Sequence, residues 1–214
     1  DGVLLGAWAG VRPADRRILD VGTGTGLIAL MMAQRAPEAL ITGVDVEEVS
    51  QARENAAASP WGGRVAFVQC PVQEFAPDER FDLIVSNPPF FVDSLTCPDE
   101  GRTTARLPFD QLRDAVVRLL AAEGRFAVIL PTDEARRFTD VCRGFLALTR
   151  STGVRTTPRR PVKRLLMEFA HENASSGLRS DSPPVCSELV VGTGEHEQYT
   201  PEYRALTRDF YLKF

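Results

Sequence analysis

Two periods of apolar residues alternate along the chain. Short apolar runs at 17–21, 40–45, 64–69, 81–86 and 124–130 read as strands buried on both faces. Between them, at 25–35, 47–58 and 110–121, apolar residues recur at helical spacing; the last of these carries Leu112, Val116, Leu119 and Leu120. A further helix is expected at 133–144, with Thr132 as its cap. Regular strand–helix alternation implies an α/β fold, a doubly wound and mostly parallel sheet covered by helices on both faces. Strands at 147–155, 163–170 and 187–192 then form a β-rich tail, expected to add antiparallel members to one edge. Residues 172–185 are polar and read as a hairpin connection. No internal repeat and no second domain is visible, so residues 1–214 are expected to form a single domain.

The first strand leads directly into chemistry. Arg17–Val21 is followed by Gly22-Thr-Gly-Thr-Gly26 and then by the helical run 27–35. A strand, a glycine-rich turn and a helix start make a cradle for a nucleotide-like ligand, because glycine lets the backbone approach closely. The spacing excludes two common versions. A dinucleotide fingerprint would need glycine where this chain has Leu27, and no Gly-Lys-Ser/Thr follows to make a P-loop. What remains is Asp20-x-Gly-x-Gly-x-Gly. Strand two ends at Asp45, 23 residues after Gly22, the distance at which an acid can bond both hydroxyls of a ribose. Alone, Asp45 reads as a solvated strand end; beside Asp20, Gly22, Gly24 and Gly26, ribose binding is the better reading.

The fourth strand ends in Ser86-Asn-Pro-Pro-Phe-Phe91. Each proline holds the residue before it extended, so Asn87 and Pro88 sit in a stiff loop. The loop presents a side-chain amide, a free backbone carbonyl and an aromatic ring, which suits a planar substrate carrying an NH2 group. A strand that merely ends at a Pro-Pro turn would look the same without the glycine turn upstream. If the strand order is 3-2-1-4-5, that order reverses between strands one and four, where ligands bind in such sheets. The glycine turn and Asn87 then share one crevice.

Composition is that of an ordinary water-soluble domain, 43% hydrophobic and 25% charged. No apolar run approaches the ~18 residues of a membrane span, and no signal peptide is visible, so a cytoplasmic protein without membrane contact is expected. Cys70, Cys97, Cys142 and Cys186 form no Cys-x-x-Cys pair, and with only His171 and His196 available no metal site is expected. Net charge is −4, but residues 150–164 hold Arg150, Arg155, Arg159, Arg160, Lys163 and Arg164 with no acid among them. Such a stretch is either a solvated face or a phosphate-contacting surface, and Arg159, Arg160 and Lys163 are its candidates.

Asp20-Val-Gly-Thr-Gly-Thr-Gly26, Asp45 and Asn87-Pro-Pro-Phe90 together resemble the S-adenosylmethionine-dependent amino-methyltransferases. Asp1-Gly-Val-Leu-Leu-Gly-Ala-Trp8, Asn55 before Ser59-Pro-Trp61, Arg102 with Ala105-Arg106, and the C-terminal Tyr199–Phe214 narrow this to the bacterial tRNA1(Val) adenine N6-methyltransferase family. The resemblance covers essentially the whole chain. It implies a Rossmann-like methyltransferase fold, S-adenosylmethionine as cofactor, tRNA as partner and a monomer. Asn87 and Pro88 would each accept one N6–H of the target adenine while Phe90 stacks on it. Pro89 and Phe91 would line the base pocket, and Arg102 and Arg106 would meet phosphates. Relatives carry a short segment ending in Lys-Val-Gly-Thr ahead of the position of Asp1, expected to close over the cofactor.

Two departures from the family stand out. Many relatives have an acid after strand three to meet the cofactor's adenine amine, whereas this chain has Cys70-Pro71-Val72, leaving the Val72 N–H and Gln73 as the adenine contacts. Leu107 stands where relatives often have histidine. The rival readings are glutamine N5-methylation of a release factor, whose amide also presents an NH2, and a methyltransferase fold retained only for RNA binding.

Overall fold

A computed structural model describes residues 1–88, 107–172, 178–196 and 198–212. Strands β1 (Arg17–Val21), β2 (Leu40–Asp45), β3 (Val65–Gln69), β4 (Phe81–Ser86), β5 (Leu120–Pro131), β6 (Leu146–Arg155), β7 (Arg164–His171) and β8 (Val185–Val190) join one sheet. Their order is β3-β2-β1-β4-β5-β7-β6-β8, which contains the expected 3-2-1-4-5. The helices are α1 (Gly2–Trp8), α2 (Leu27–Arg35), α3 (Ser50–Ala57), α4 (Phe109–Leu119), α5 (Thr132–Cys142) and α6 (Pro201–Thr207).

The period-two alternation of each strand sorts its residues between two cores. Ile18, Ile41, Leu83, Ala127 and Ile129 face α1, α2 and α3. Their neighbours Leu19, Val44, Ile84, Phe126 and Val128 face α4 and α5. Helix α4 meets that second face with Leu112, Ala115, Val116 and Leu119, a stripe at three- and four-residue spacing. Phe126, Phe138 and Phe169 interlock there, with ring centroids 5.6–6.3 Å apart and no exposed surface. Burying three such rings is a large part of what fixes α5 against the sheet.

The tail departs from expectation. Only β7 runs antiparallel, to both β5 and β6, while β8 is parallel to β6. Strand β6 returns through α5 and leaves a gap beside β5, which β7 fills by folding back. The connection from β7 to β8 is therefore not a hairpin, since β6 lies between the two strands. Thr132 is the first residue of α5 rather than its cap, and Pro131 occupies the capping position with no side-chain bond. Helices α1 and α6 were not legible as helices. α1 has apolar residues all round and no side-chain cap, and it holds by packing on α2: a Cβ on Gly6 would lie 2.5 Å from Met31 Sδ.

This topology fixes which loops meet. The C-terminal ends of β1, β2, β3, β4 and β5 share one edge of the sheet. Because Arg164 pairs with both Pro131 and Val154, the β6–β7 turn lies on that same edge.

Candidate active site

A cavity of about 530 Å³ opens on that edge, at the point where the strand order reverses between the parallel neighbours β1 and β4. Its walls come from the turn after β1, the ends of β2 and β3, the end of β4 and the approach to α4.

The turn after β1 is held by Val44, whose carbonyl accepts the Gly22 and Thr23 N–H groups at 2.9 and 3.2 Å. Gly22 and Gly24 adopt φ of +72° and +53°, and a Cβ on either would meet nothing within 4 Å. Both face open cavity, so the backbone is bare where a ligand would pass. Gly26 differs. Its φ is +81°, but a Cβ there would lie 2.8 Å from the Phe67 ring and 3.2 Å from Ala52, and Gly26 does not line the cavity. It is a packing glycine, letting the start of α2 close on β3.

Asp20 likewise sits behind the turn, with no exposed surface and outside the cavity wall. Its Oδ2 accepts the Thr23 hydroxyl at 2.7 Å and the Ala29 N–H at 3.1 Å, tying turn and helix to β1. Its Oδ1 is buried without a partner among the described residues. Burial pushes its pKa up to about 7, opposed by those two hydrogen bonds and reinforced by the nearby Asp45 charge.

Asp45 is at the wall. Its Oδ2 accepts the Gly24 N–H at 2.8 Å and its Oδ1 the Glu47 N–H at 3.0 Å, so each oxygen keeps a lone pair for a further donor. Beside it, Val46 is 43% exposed, an apolar side chain whose outer surface is the cavity itself. Val72 and Gln73 complete the wall after β3, together with Cys70 and Pro71. Burial raises the Cys70 thiol pKa, with Glu74 adding to the effect.

Asn87 and Pro88 line the cavity from β4. The Asn87 Oδ1 is buried with no hydrogen-bond partner among the described residues. An orphaned buried acceptor is costly, and here it stands at the lip of a ligand-sized space. The preceding Ser86 donates its hydroxyl to the Val21 carbonyl at 2.9 Å, fixing the end of β4 to the end of β1. Pro89, Phe90, Phe91, Arg102 and Arg106 lie outside the described residues.

The basic stretch divides in two. Arg150 stacks 3.7 Å over Trp8 and pairs with Glu168, Arg155 pairs with Glu188, and Arg164 pairs with Asp1. These three are engaged within the fold, so the stretch is not uniformly available to a ligand. Arg159, Arg160 and Lys163 remain exposed on the β6–β7 turn, on the cavity's edge of the sheet, and have no acidic partner among the described residues.

Sequence reasoning missed Val46, Glu47, Ser86 and the wall role of Leu107, all of which the structure brings to the cavity. Glu47 carried a faint signal, an acid two residues past Asp45. Leu107 replaces an expected histidine, yet contributes apolar wall next to α4. Among the described residues, no three His, Cys, Asp or Glu side chains cluster as a metal site.

The fold and this crevice define a methyltransferase. The methyltransferase small domain family matches residues 6–129. Over 99% of its length the chain is 44% identical to the tRNA1(Val) (adenine(37)-N6)-methyltransferase of Bacteroides thetaiotaomicron, covering 89% of that protein. The enzyme of the same name from Flavobacterium johnsoniae is 42% identical, with 100% and 91% covered. In three dimensions the chain resembles an Agrobacterium tumefaciens protein described as a predicted O-methyltransferase, with a TM-score of 0.71 at 18% identity, covering 97% of this chain and 95% of that one. The chain belongs to the tRNA1(Val) (adenine(37)-N6)-methyltransferase family.

Its cofactor is S-adenosylmethionine, and the residues present fit that molecule. The bare Gly22 and Gly24 backbone admits a close approach, Asp45 retains acceptors for ribose hydroxyls, and the apolar Val46, Val72 and Leu107 suit a flat base.

Proposed function

We propose that this chain methylates N6 of the adenine just 3′ of the anticodon in a valine tRNA, acting as a cytoplasmic monomer whose residues 1–214 form one methyltransferase domain. The observation that carries the reading is the unpartnered Asn87 Oδ1 at the cavity lip. The cofactor supplies a methyl group already activated on a sulfonium. The protein's task is to hold a poor nucleophile in line with it, an orientation effect worth up to roughly 7–11 kcal/mol.

An adenine N6 lone pair is delocalised into the ring. Asn87 Oδ1 and the Pro88 carbonyl each accept one N6–H, which holds the nitrogen and favours its pyramidal form as positive charge develops. Phe90 stacks on the base, worth about 1–3 kcal/mol by analogy with single-strand binders. No general base is assigned, since the methylated amine is acidic enough to lose its proton to water. Asp82, the one acid on β4, supports this: its Oδ2 accepts the Arg16 and Arg17 N–H groups at the strand's opposite end.

Asp45 holds the ribose of the cofactor, with Gly22 and Gly24 along its length and Val72 and Gln73 at its adenine, while Asp20 and Gly26 keep the turn in shape. Arg159, Arg160 and Lys163 meet phosphates of the anticodon arm, together with Arg102 and Arg106. A loop base is already unpaired, so its extrusion costs little. The Bacteroides and Flavobacterium relatives are named as tRNA enzymes, and the exposed cations on the cavity's edge of the sheet favour RNA over a release-factor loop.

The test is methylation of total tRNA from a strain lacking the gene, followed by nucleoside mapping by mass spectrometry. N6-methyladenosine in valine tRNA is expected; unmodified tRNA alongside a methylated release-factor glutamine would overturn the reading.

A further inference from the structure

The turn after β3 is fastened to α4 by one side chain that no sequence motif marks. Arg118, in the last turn of α4, donates from Nη1 to the Phe75 carbonyl at 2.6 Å and from Nη2 to the carbonyls of Val72 at 2.8 Å and Gln73 at 3.3 Å. Gln111, seven residues earlier and so on the same face of the helix, accepts from the Gln73 side-chain amide. The far end of the turn is anchored separately, with the Phe75 ring stacked 6.2 Å from the buried Phe81.

These bonds sort the polar groups of the turn. Within 71–75, the Glu74 and Phe75 N–H groups bond the Pro71 carbonyl, and the carbonyls of Val72, Gln73 and Phe75 are drawn to Arg118. The Val72 and Gln73 N–H groups have no partner among the described residues, although Val72 is only 5% exposed and both residues line the cavity. Gln73 is exposed at the cavity while Val72 is almost fully covered, so it is the Val72 N–H above all that calls for an acceptor from outside the protein. A heterocyclic base offers ring nitrogens for that purpose.

We propose that Arg118 is the positioning residue for the base of the cofactor: by collecting three carbonyls it locks the turn with its spare N–H groups presented to the cavity. The inference rests on the methyltransferase reading of the cavity and adds to it a residue that never touches the ligand. A guanidinium suits the task because its planar fork serves several acceptors at once, which a lysine ammonium does not do in fixed geometry.

The test compares two ligands by equilibrium titration. S-Adenosylhomocysteine carries the base; S-ribosylhomocysteine has the same sugar and amino-acid tail without it. Arg118→Met keeps the stem and removes the donors. It is expected to weaken S-adenosylhomocysteine about tenfold while leaving S-ribosylhomocysteine unchanged, so that the preference for the base shrinks by the same factor. Arg118→Lys should recover part of that preference, and kcat at saturating cofactor should stay within about twofold. Equal weakening of both ligands would make Arg118 a general strut and overturn the proposal, as would unchanged binding of both. A wild-type chain that binds neither ligand would instead defeat the methyltransferase reading itself.

Discussion

The Gly24 N–H donates to Asp45 Oδ2 at 2.8 Å, a charge-assisted bond in the cavity wall that adds to the two Val44 carbonyl bonds joining the turn after β1 to the end of β2. The carboxylate both shapes the glycine turn and, with its remaining lone pairs, offers acceptors to a ligand. Asp45→Ala loses both functions and should weaken S-adenosylhomocysteine binding by about 2–3 kcal/mol, roughly 30- to 150-fold. Asp45→Asn retains one acceptor and should fall between. Isothermal titration of the three proteins tests the order; equal affinities would remove Asp45 from the ligand.

The two kinds of glycine in the turn should separate experimentally. Gly26→Ala places a methyl 2.8 Å from Phe67 at φ +81°, so it should lower the melting temperature clearly, on the order of 2 kcal/mol or more. Gly24→Ala points its methyl into open cavity and bears only the backbone strain. Its larger effect should be on cofactor affinity. Paired thermal melts and titrations distinguish them, and the opposite pattern would contradict the assignment of Gly26 to packing.

Asp20 gives a pH signature. Its pKa in the fold is raised to about 7 from an ordinary value of 3.8, so the folded chain holds a proton there that the unfolded chain releases. The stability this contributes is therefore present below about pH 4 and lost as pH rises through about 7. Asp20→Asn cannot ionise and lacks that pH-dependent stability. The melting temperature of wild type relative to Asp20→Asn should fall between about pH 4 and 7 and level off above; a flat difference would mean Asp20 is not protonated in the fold.

On the β6–β7 turn, each phosphate neutralised should contribute roughly −0.7 to −0.9 to the slope of log K against log salt. Changing Arg159, Arg160 and Lys163 together to Ala should weaken tRNA binding and flatten that slope by up to about 2–3, with cofactor affinity untouched. Arg155→Ala removes a charge already paired with Glu188 and should leave the slope nearly unchanged. Filter binding across a salt series separates the two; an unaltered slope in the triple variant would move the RNA elsewhere.

Local signals carried most of the fold and part of the site. The β1–turn–α2 unit, Asp45 and the Asn-Pro-Pro-Phe tetrad are each written within a few consecutive residues, and periodicity placed the parallel strands, though it does not by itself order them. What stayed hidden depends on residues distant in sequence. The charges of 150–164 were visible, but not that Arg155 would meet Glu188 or Arg164 the acid at Asp1. Arg118 looks like any solvent-facing helix residue until the turn after β3 folds against it. Gly26 and Gly24 share one motif, and only the approach of Phe67 tells them apart.

The central claim, that the free Asn87 oxygen serves the amine that is methylated, is tested most directly by Asn87→Ala assayed in single turnover on valine tRNA, with S-adenosylhomocysteine affinity measured in parallel. The account predicts unchanged cofactor affinity and a methyl-transfer rate lower by about 10²–10³, the scale seen when one transition-state hydrogen-bonding group is removed. A variant that binds cofactor normally and methylates N6 within a few-fold of the wild-type rate would contradict it.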